Sequence, residues 1–180
     1  MKNDYVIVGD EVLVDVGKGR TMVIDLADLP TIQQTTERIS SSMDARERTA
    51  YAFIRHSLTE GGSRKVHRLI LDAPRGTIVD HIDHDGLNNK RSNLRLVTQS
   101  QNQQNRPKAN RNSKSGVRGV YFHTRRRKWV ATVNQPREGQ RPKLLWLGQF
   151  DTLEAAAAAA VEGRALYMTH SNEKDLQHVG

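Results

Sequence analysis

Short apolar stretches rich in β-branched residues alternate with glycine-containing turns along the first part of the chain. This pattern is typical of short antiparallel strands. It predicts strands at residues 5–8, 11–16, 21–26, 51–57 and 65–71. The polar stretch 30–49 is compatible with either a loop or a poorly packed helix. Residues 1–60 are therefore predicted to form a β-rich N-terminal region.

A denser pattern follows in residues 61–107, which are predicted to form one small unit. Its elements are strand 77–81, loop 83–92, strand 93–98 and helix 101–105. Asp, Asn and Gly dominate the loop, and these residues favour turns. Pro107 is expected to end the helix, because proline lacks the amide hydrogen that a helix needs.

A polar, basic linker is predicted at residues 108–114. Beyond it, strands are predicted at residues 117–122, 129–134 and 143–150. A helix of alanines is expected to start after Thr152 and to end near Tyr167. Small side chains let a helix lie close to a sheet. Residues 115–170 are therefore predicted to form a three-stranded antiparallel sheet covered by one helix. Residues 171–180 are predicted to form a C-terminal tail.

The positive charge of the chain is concentrated in one segment. The chain has 180 residues, a formal net charge of +8 and a pI of about 10.0. Residues 105–145 contain 12 Lys or Arg and a single acid, so they carry +11, whereas the rest of the chain carries −3. A segment of this kind predicts an anionic partner such as nucleic acid.

Composition also excludes several classes of protein. Cysteine is absent, which rules out disulfide frameworks, thiolate zinc sites and cysteine nucleophiles. The chain has neither a signal-peptide core nor an apolar stretch of about 18 residues, so no membrane partner is predicted. We expect a cytoplasmic monomer or homodimer with no obligate protein partner.

The segment VDHIDHDGLNNKRSNLRLVTQSQNQQN concentrates acids, histidines and amides. An Asx-rich loop without chemistry is one interpretation, since Asp and Asn side chains stabilise turns. A calcium-binding EF-hand is excluded, because with Gly86 at loop position six the required acids fall on His81 and Ser92. A zinc site of His81 and His84 stays open. A hydrolytic site is the third interpretation: Asp80 suits Mg²⁺ or Mn²⁺, and His81 suits proton abstraction from water.

The motif D-H-I-D-x-D-G-x-N-N, followed by S-N-L-R-x-V-T and Q-x-x-N, resembles HNH homing endonucleases of the phage and intron type. The resemblance covers residues 66–107. It implies a ββα-metal nuclease core in which Asp80 and Asn102 hold one divalent ion, Mg²⁺ or Mn²⁺, and His81 is the general base. It also implies that Asn93 bonds across the hairpin to hold His81 and its loop in position.

Basic side chains after residue 105 are interleaved with aromatic ones. The basic run 125–128 lies between two predicted strands, and Tyr121, Phe122, Trp129 and Trp146 are close to it in the predicted sheet. Arg and Lys on a narrow sheet can neutralise phosphates and read base edges in the major groove. The pattern therefore predicts double-stranded DNA as the partner.

The motifs R-G-V, K-W-V-A and W-L-G-Q-F-D-T-x-E-A-A resemble an APETALA2-type (AP2) DNA-binding domain over residues 115–167. The resemblance implies DNA contacts from Arg118, Tyr121, Arg125, Arg126, Arg127, Lys128, Trp129 and Trp146. Tyr121 stands where the plant domains often have a base-contacting Arg, so their sequence preference does not carry over. Each Trp can serve as a core residue or as a DNA contact.

The expected fold class is α+β, with a small ββα-metal nuclease core between a β-rich N-terminal region and a helix-covered three-stranded sheet. The first functional hypothesis is a metal-dependent DNA endonuclease, encoded by a phage or mobile element and acting in a bacterial host. The alternative is a non-catalytic DNA-binding protein that retains an HNH-like core. A third option is a nuclease directed at RNA. One site per chain predicts nicking unless two chains cooperate.

Overall fold

The chain folds into two compact units, Met1–Thr98 and Gln99–Gly180. The computed structural model describes residues 1–36, 38–44, 49–55, 63–106 and 108–171. The predicted tail beyond residue 171, the helix-ending Pro107 and positions 56–57 of a predicted strand lie outside the described residues. Within the described ranges, no helix is long and apolar enough to cross a membrane.

Small sheets and short helices make up the first unit. Its elements are β1 (Tyr5–Val8), β2 (Glu11–Asp15), β3 (Thr21–Asp25), α1 (Leu29–Thr35), β4 (Ile39–Met43), β5 (Ala50–Arg55), β6 (Ser63–Lys65), α2 (Val66–Ile70), β7 (Ile78–His81) and β8 (Leu94–Val97). Strands β1, β2 and β3 form one antiparallel sheet, and β4, β5 and β6 form a second. Strands β7 and β8 form a two-stranded antiparallel hairpin.

One hydrophobic core joins the N-terminal sheets to the segment that contains the hairpin. Side chains alternate across a strand, so every second residue of β2 and β3 faces this core. The core is formed chiefly by Val12, Val14, Met22, Ile24, Ile32, Ile39, Ile54, Val66, Ile70, Leu87 and Leu94. The β-rich N-terminal region and the first part of the segment predicted at 61–107 therefore pack as one unit.

Strand β3 holds the loop between β7 and β8 through its backbone. The amide of Val23 donates a hydrogen bond to the carbonyl of Leu87 at 3.0 Å, and the amide of Asn89 donates to the carbonyl of Val23 at 2.8 Å. Gly86 of the same loop lies tightly against β5, because a Cβ at this position would be 2.3 Å from the carbonyl oxygen of Ala50. The N-terminal sheets thus shape this loop.

Residues 65–71 correct one sequence prediction. The strand predicted there is the helix α2, and the returning strand β6 ends at Lys65. Val66 and Ile70 are both buried. Residues four apart share a face in a helix and also in a strand, so a short apolar run does not distinguish the two.

The polar stretch 30–49 contains both a helix and a strand. Helix α1 has Pro30 in its first turn, where a missing amide hydrogen costs nothing. Strand β4 buries Ile39 and Ser41 on one face. The Ser41 hydroxyl donates to the carbonyl of Val16 at 3.2 Å, so its burial leaves no polar group without a partner.

The second unit contains a helix-covered sheet. Its elements are α3 (Gln99–Gln104), β9 (Val120–His123), β10 (Lys128–Gln135), β11 (Lys143–Phe150) and α4 (Leu153–Tyr167). Strand β10 is the centre of the antiparallel sheet, with β9 and β11 at its sides. The fold class predicted from the sequence, α+β with this helix-covered sheet, is confirmed.

Helix α4 lies close to the sheet because most of its buried residues are alanine or glycine. The Thr152 hydroxyl caps the helix by accepting a hydrogen bond from the amide of Ala155 at 3.2 Å. Ala156 and Ala160 are fully buried. A Cβ at Gly163 would lie 2.4 Å from Leu147 Cδ1, so a larger residue there would require the Leu147 side chain or the helix to shift.

Candidate active site and nucleic-acid interface

Two of the predicted site residues lie at the end of strand β7. Asp80 and His81 close this strand, opposite Arg95 and Leu94 of β8. Both side chains are buried, with relative exposures of 8% and 6%. Adjacent strand residues usually point to opposite faces, so burial of both shows that the strand end is covered on each side.

Asp80 forms an ion pair with the residue opposite it. The Arg95 guanidinium donates from Nε at 2.9 Å and from Nη2 at 2.8 Å to the same carboxylate oxygen, Oδ2. Charge-assisted hydrogen bonds of this kind orient a carboxylate and compensate its buried charge. The pair therefore fixes the direction of the Asp80 carboxylate at the strand end.

His81 is held by a buried amide that motif spacing did not single out. His81 Nε2 lies 3.3 Å from Asn89 Oδ1, and Asn89 is 1% exposed. The Asn89 Nδ2 atom donates to the carbonyl of Leu87 at 3.1 Å, which leaves Oδ1 as the atom that faces the imidazole. With an acceptor opposite it, Nε2 carries the hydrogen, so Nδ1 is the basic nitrogen of this tautomer.

Burial lowers the pKa of His81, and the Asn89 hydrogen bond and the charges of Asp83, Asp80 and Asp85 offset this in part. A lowered pKa favours the neutral imidazole near pH 7. A neutral imidazole can accept a proton, which is the state that a general base requires.

Two further rings surround His81. His67 of α2 packs edge-on against it, with ring centroids 4.9 Å apart and an interplanar angle of 75°. Tyr51 of β5 lies 5.7 Å from each imidazole. Residue 67 belongs to the stretch that resembles the HNH family, but its contact with His81 depends on helix α2, which the sequence did not predict.

Burial, followed by the charges of His81, Lys65 and Arg68, lowers the pKa of His67 from 6.5 to about 3. His67 is therefore neutral in the folded protein. A depressed pKa in the folded state stabilises the fold above the unfolded value of 6.5, and this contribution is lost as the pH falls from 6.5 towards 3.

Asn93 fastens the loop that follows His81. Its Oδ1 atom accepts a hydrogen bond from the amide of Asp83 at 3.0 Å. Its Nδ2 atom donates to the Asp83 carboxylate and to the carbonyl of Asn88, both at 2.8 Å. The Asn93 carbonyl also accepts from the amide of Ile82 at 3.0 Å. This geometry supports the positioning role that the family resemblance implied.

The Asn93→Ala variant is expected to loosen this loop. It leaves the partly buried Asp83 amide without its acceptor, at a cost of about 1–3 kcal/mol. We expect the exchange rate of the Asp83 amide hydrogen to rise roughly 10- to 100-fold in native-state exchange followed by mass spectrometry or NMR. Ser92→Ala, an exposed neighbour, is the matched control. Equal exchange rates in the two variants would contradict the positioning role.

The remaining metal and loop predictions have different outcomes. Asn102 lies on α3, in the second compact unit, so its pairing with Asp80 stays a prediction. His84 adopts a left-handed backbone conformation with φ of 69°. Among the described residues, no group of three or more His, Cys, Asp or Glu side chains is placed to hold a metal ion. The zinc site of His81 and His84 stays a prediction.

The sheet of the second unit exposes aromatic and basic side chains. Tyr121 is 50% exposed and Trp146 is 64% exposed. Arg125, Arg126 and Arg127 are exposed in the turn between β9 and β10. A flat surface that combines aromatic rings with guanidinium groups suits a nucleic-acid backbone and its bases.

Three other predicted DNA contacts have protein partners in the structure. Trp129 packs against the core beneath α4, with Phe122 at a centroid distance of 5.0 Å. Lys128 pairs with Asp151. The Arg118 guanidinium donates to the carbonyls of Gln104 and Arg106. The DNA-binding roles of these residues stay predictions, and the structure favours a core role for Trp129.

Comparison with known proteins identifies both segments. Residues 64–104 match the HNH endonuclease family, and residues 115–165 match the AP2 domain family. The chain is 46% identical over 59 residues to a protein of Acanthamoeba polyphaga mimivirus that is named an uncharacterized HNH endonuclease. This match covers 32% of the chain and 30% of the viral protein. No solved structure gives a significant match. The predicted resemblances to HNH endonucleases and to AP2 domains are confirmed.

Proposed function

We propose that this chain, which carries an HNH endonuclease segment followed by an AP2 domain, is a metal-dependent endonuclease that hydrolyses phosphodiester bonds of double-stranded DNA. The observation that carries the proposal is the strand end of β7. There a buried imidazole with a lowered pKa lies next to an oriented carboxylate, within the segment that matches the nuclease family.

His81 is the general base of the proposed reaction. Its Nε2–H is engaged by Asn89, so Nδ1 takes the proton from the attacking water molecule. Asn89 and Asn93 hold the ring and its loop, so the geometry is set before substrate binds. The hydroxide then attacks phosphorus, the bond to the leaving oxygen breaks, and this oxygen takes a proton from solvent water to become a hydroxyl group, while His81 returns its proton to solvent.

Asp80 and Asn102 are the residues that would hold a divalent ion, Mg²⁺ or Mn²⁺. Their donor atoms fit, because carboxylate and amide oxygens are hard ligands and Mg²⁺ commonly takes only one or two carboxylates from the protein. Arg95 donates to Oδ2 of Asp80, and a carboxylate has several lone pairs with which to bind more than one partner. When bound, the ion would stabilise negative charge on the scissile phosphate.

In the proposed function, the AP2 domain binds the DNA duplex. Its exposed Tyr121 and arginine turn lie within the segment that carries a net +11, and the exposed Trp146 follows directly after it. Binding of the duplex there would raise the local concentration of substrate for the HNH segment. The similarity to a viral protein is compatible with the mobile-element origin that the homing-type motif implies.

A second candidate function is DNA binding without catalysis. One observation favours it: Asp80, the proposed metal ligand, already has the Arg95 guanidinium as a partner at 2.8 Å. In that case Arg95 would replace the metal ion as the counter-charge, and the HNH segment would be a structural remnant.

Plasmid nicking tests the proposal directly. The purified full chain is incubated with supercoiled plasmid and Mg²⁺, and conversion to the nicked circle is followed on agarose gels. We expect conversion with Mg²⁺ and none with excess EDTA. Binding of a duplex in a gel-shift assay without any cutting would support the second candidate. Cleavage of structured RNA but not of plasmid would instead indicate an RNA-directed nuclease.

A further inference from the structure

The helix that carries Asn102 packs with the AP2 domain. Helix α3 belongs to the second compact unit, although residues 64–104 match the HNH family. This short helix and the chain that follows it are hydrogen-bonded to the Arg118 side chain and to the backbone amide of His170. Arg118, which precedes strand β9, makes most of these hydrogen bonds.

The Arg118 guanidinium caps the C-terminal end of α3. Its Nη1 atom donates to the carbonyl of Gln104 at 2.9 Å and to that of Arg106 at 2.6 Å. Its Nη2 atom lies 3.3 Å from the carbonyl of Gln103 and 3.3 Å from Met168 Sδ. The last carbonyls of a helix have no partner within the helix, and a cation there also interacts favourably with the helix dipole.

Buried polar contacts reinforce this cap. Arg164 of α4 is 5% exposed, and its Nη1 atom donates to the carbonyl of Arg118 at 2.6 Å. Gln104 is 6% exposed, and its Oε1 atom accepts from the amide of His170 at 3.2 Å. Arg118 is therefore fixed at its backbone by α4 and at its guanidinium by α3, so it joins the two helices.

We infer that Arg118 is a positioning residue that fixes α3, and with it Asn102, to the AP2 domain. The inference rests on the proposed function in one respect, since Asn102 matters to catalysis only if the chain is a nuclease. It assigns to Arg118 a role other than the DNA contact that the AP2 resemblance implies. DNA bound to the AP2 domain then sets the position of a metal ligand, so recognition and cleavage are coupled through this side chain.

The competing role for Arg118, contact with a DNA phosphate, predicts a different phenotype. A phosphate contact contributes to DNA affinity and to the salt dependence of that affinity. A positioning residue instead changes the nicking rate at saturating DNA and the metal concentration that this rate requires. Both roles use the same guanidinium hydrogens. The donors that cap α3 are therefore not available to a phosphate in this conformation.

The test compares Arg118→Ala and Arg118→Lys with Arg111→Ala, which removes one exposed charge from the linker. We expect Arg118→Ala to speed amide exchange at Gln103 and Gln104 about tenfold and to lower the nicking rate at saturating DNA about tenfold. The Mg²⁺ concentration for half-maximal rate should rise several-fold, while the dissociation constant for DNA changes less than twofold. Arg118→Lys, which keeps the charge and one donor group, should recover part of each loss.

Several results would overturn the inference. One is a DNA affinity that falls tenfold in Arg118→Ala with no change in saturated rate or in α3 exchange. Another is an unchanged α3 exchange in a variant that nicks normally. If Arg118→Ala does not fold, as judged by circular dichroism, the same comparison is made with Arg118→Lys alone. Failure of the wild-type chain to nick would instead overturn the proposed function, while α3 exchange still reports on the cap.

Discussion

The His81→Ala variant is expected to nick plasmid DNA about 10²- to 10⁴-fold more slowly than the wild type, which is the usual contribution of a positioned general base. The ring is buried next to Asp80 and Asn89, so its loss removes the proton acceptor. Initial rates under saturating plasmid and Mg²⁺ measure the effect. DNA affinity should be unchanged, because His81 lies in the first unit.

The matched control is His84→Asn, which removes the other imidazole of the same loop and keeps a residue that tolerates the left-handed backbone. We expect it to retain most of the activity. Activity of His81→Ala close to that of the wild type would remove His81 from the mechanism. An equal loss of nicking activity in both variants would indicate an active site that uses both histidines.

The pH dependence of the same rate follows from the lowered pKa of His81. The neutral imidazole is the active form, so the rate falls as the pH drops through the pKa of the folded protein. Because burial places this pKa below 6.5, the acid limb of the pH profile should lie below pH 6.5. An acid limb above pH 6.5 would contradict the assignment of this limb to His81.

The second large effect is expected from the arginine turn of the AP2 domain. A triple variant, Arg125→Gln, Arg126→Gln and Arg127→Gln, removes three exposed cations between β9 and β10. If each neutralises one phosphate, the dissociation constant for duplex DNA should rise on the order of 100-fold near physiological salt. The slope of log affinity against log salt should become shallower by about 0.9 for each phosphate that is no longer neutralised.

A triple variant in the first unit controls for net charge: Lys18→Gln, Arg38→Gln and Arg75→Gln, all exposed residues. Fluorescence anisotropy with a labelled duplex at several salt concentrations measures both variants. We expect the control to bind nearly as well as the wild type. If both triple variants lose the same DNA affinity, the net charge of the chain alone determines binding. The sheet face then has no special role in binding.

Much of the fold could be predicted from the sequence because its elements are short and their signals local. The strand at residues 143–150 follows from a short apolar run, the helix starting after Thr152 follows from a capping residue, and the structure has both. The strand predicted at residues 65–71 is wrong, since the apolar spacing of Val66 and Ile70 fits a helix equally well.

Part of the site could also be predicted from the sequence. Motif spacing named His81 and Asn93, and the hairpin register then places Arg95 opposite Asp80. Asn89 is the second residue of the Asn pair in the motif, but the motif resemblance assigned it no role. The packing of His67 on His81 had no local signal, because it requires helix α2 and the core beneath it.

The sequence by itself determined which chemistry the chain can offer: its motif carries the carboxylate, imidazole and amides of an HNH site, and its charge is concentrated beside an AP2-type pattern. Tertiary structure decided how those groups are used. Burial lowers the pKa of His81, β3 shapes its loop, and carbonyls at the end of α3 accept hydrogen bonds from Arg118. The physical reason is that motifs depend on local spacing, whereas desolvation and hydrogen-bond partners depend on residues distant in the chain.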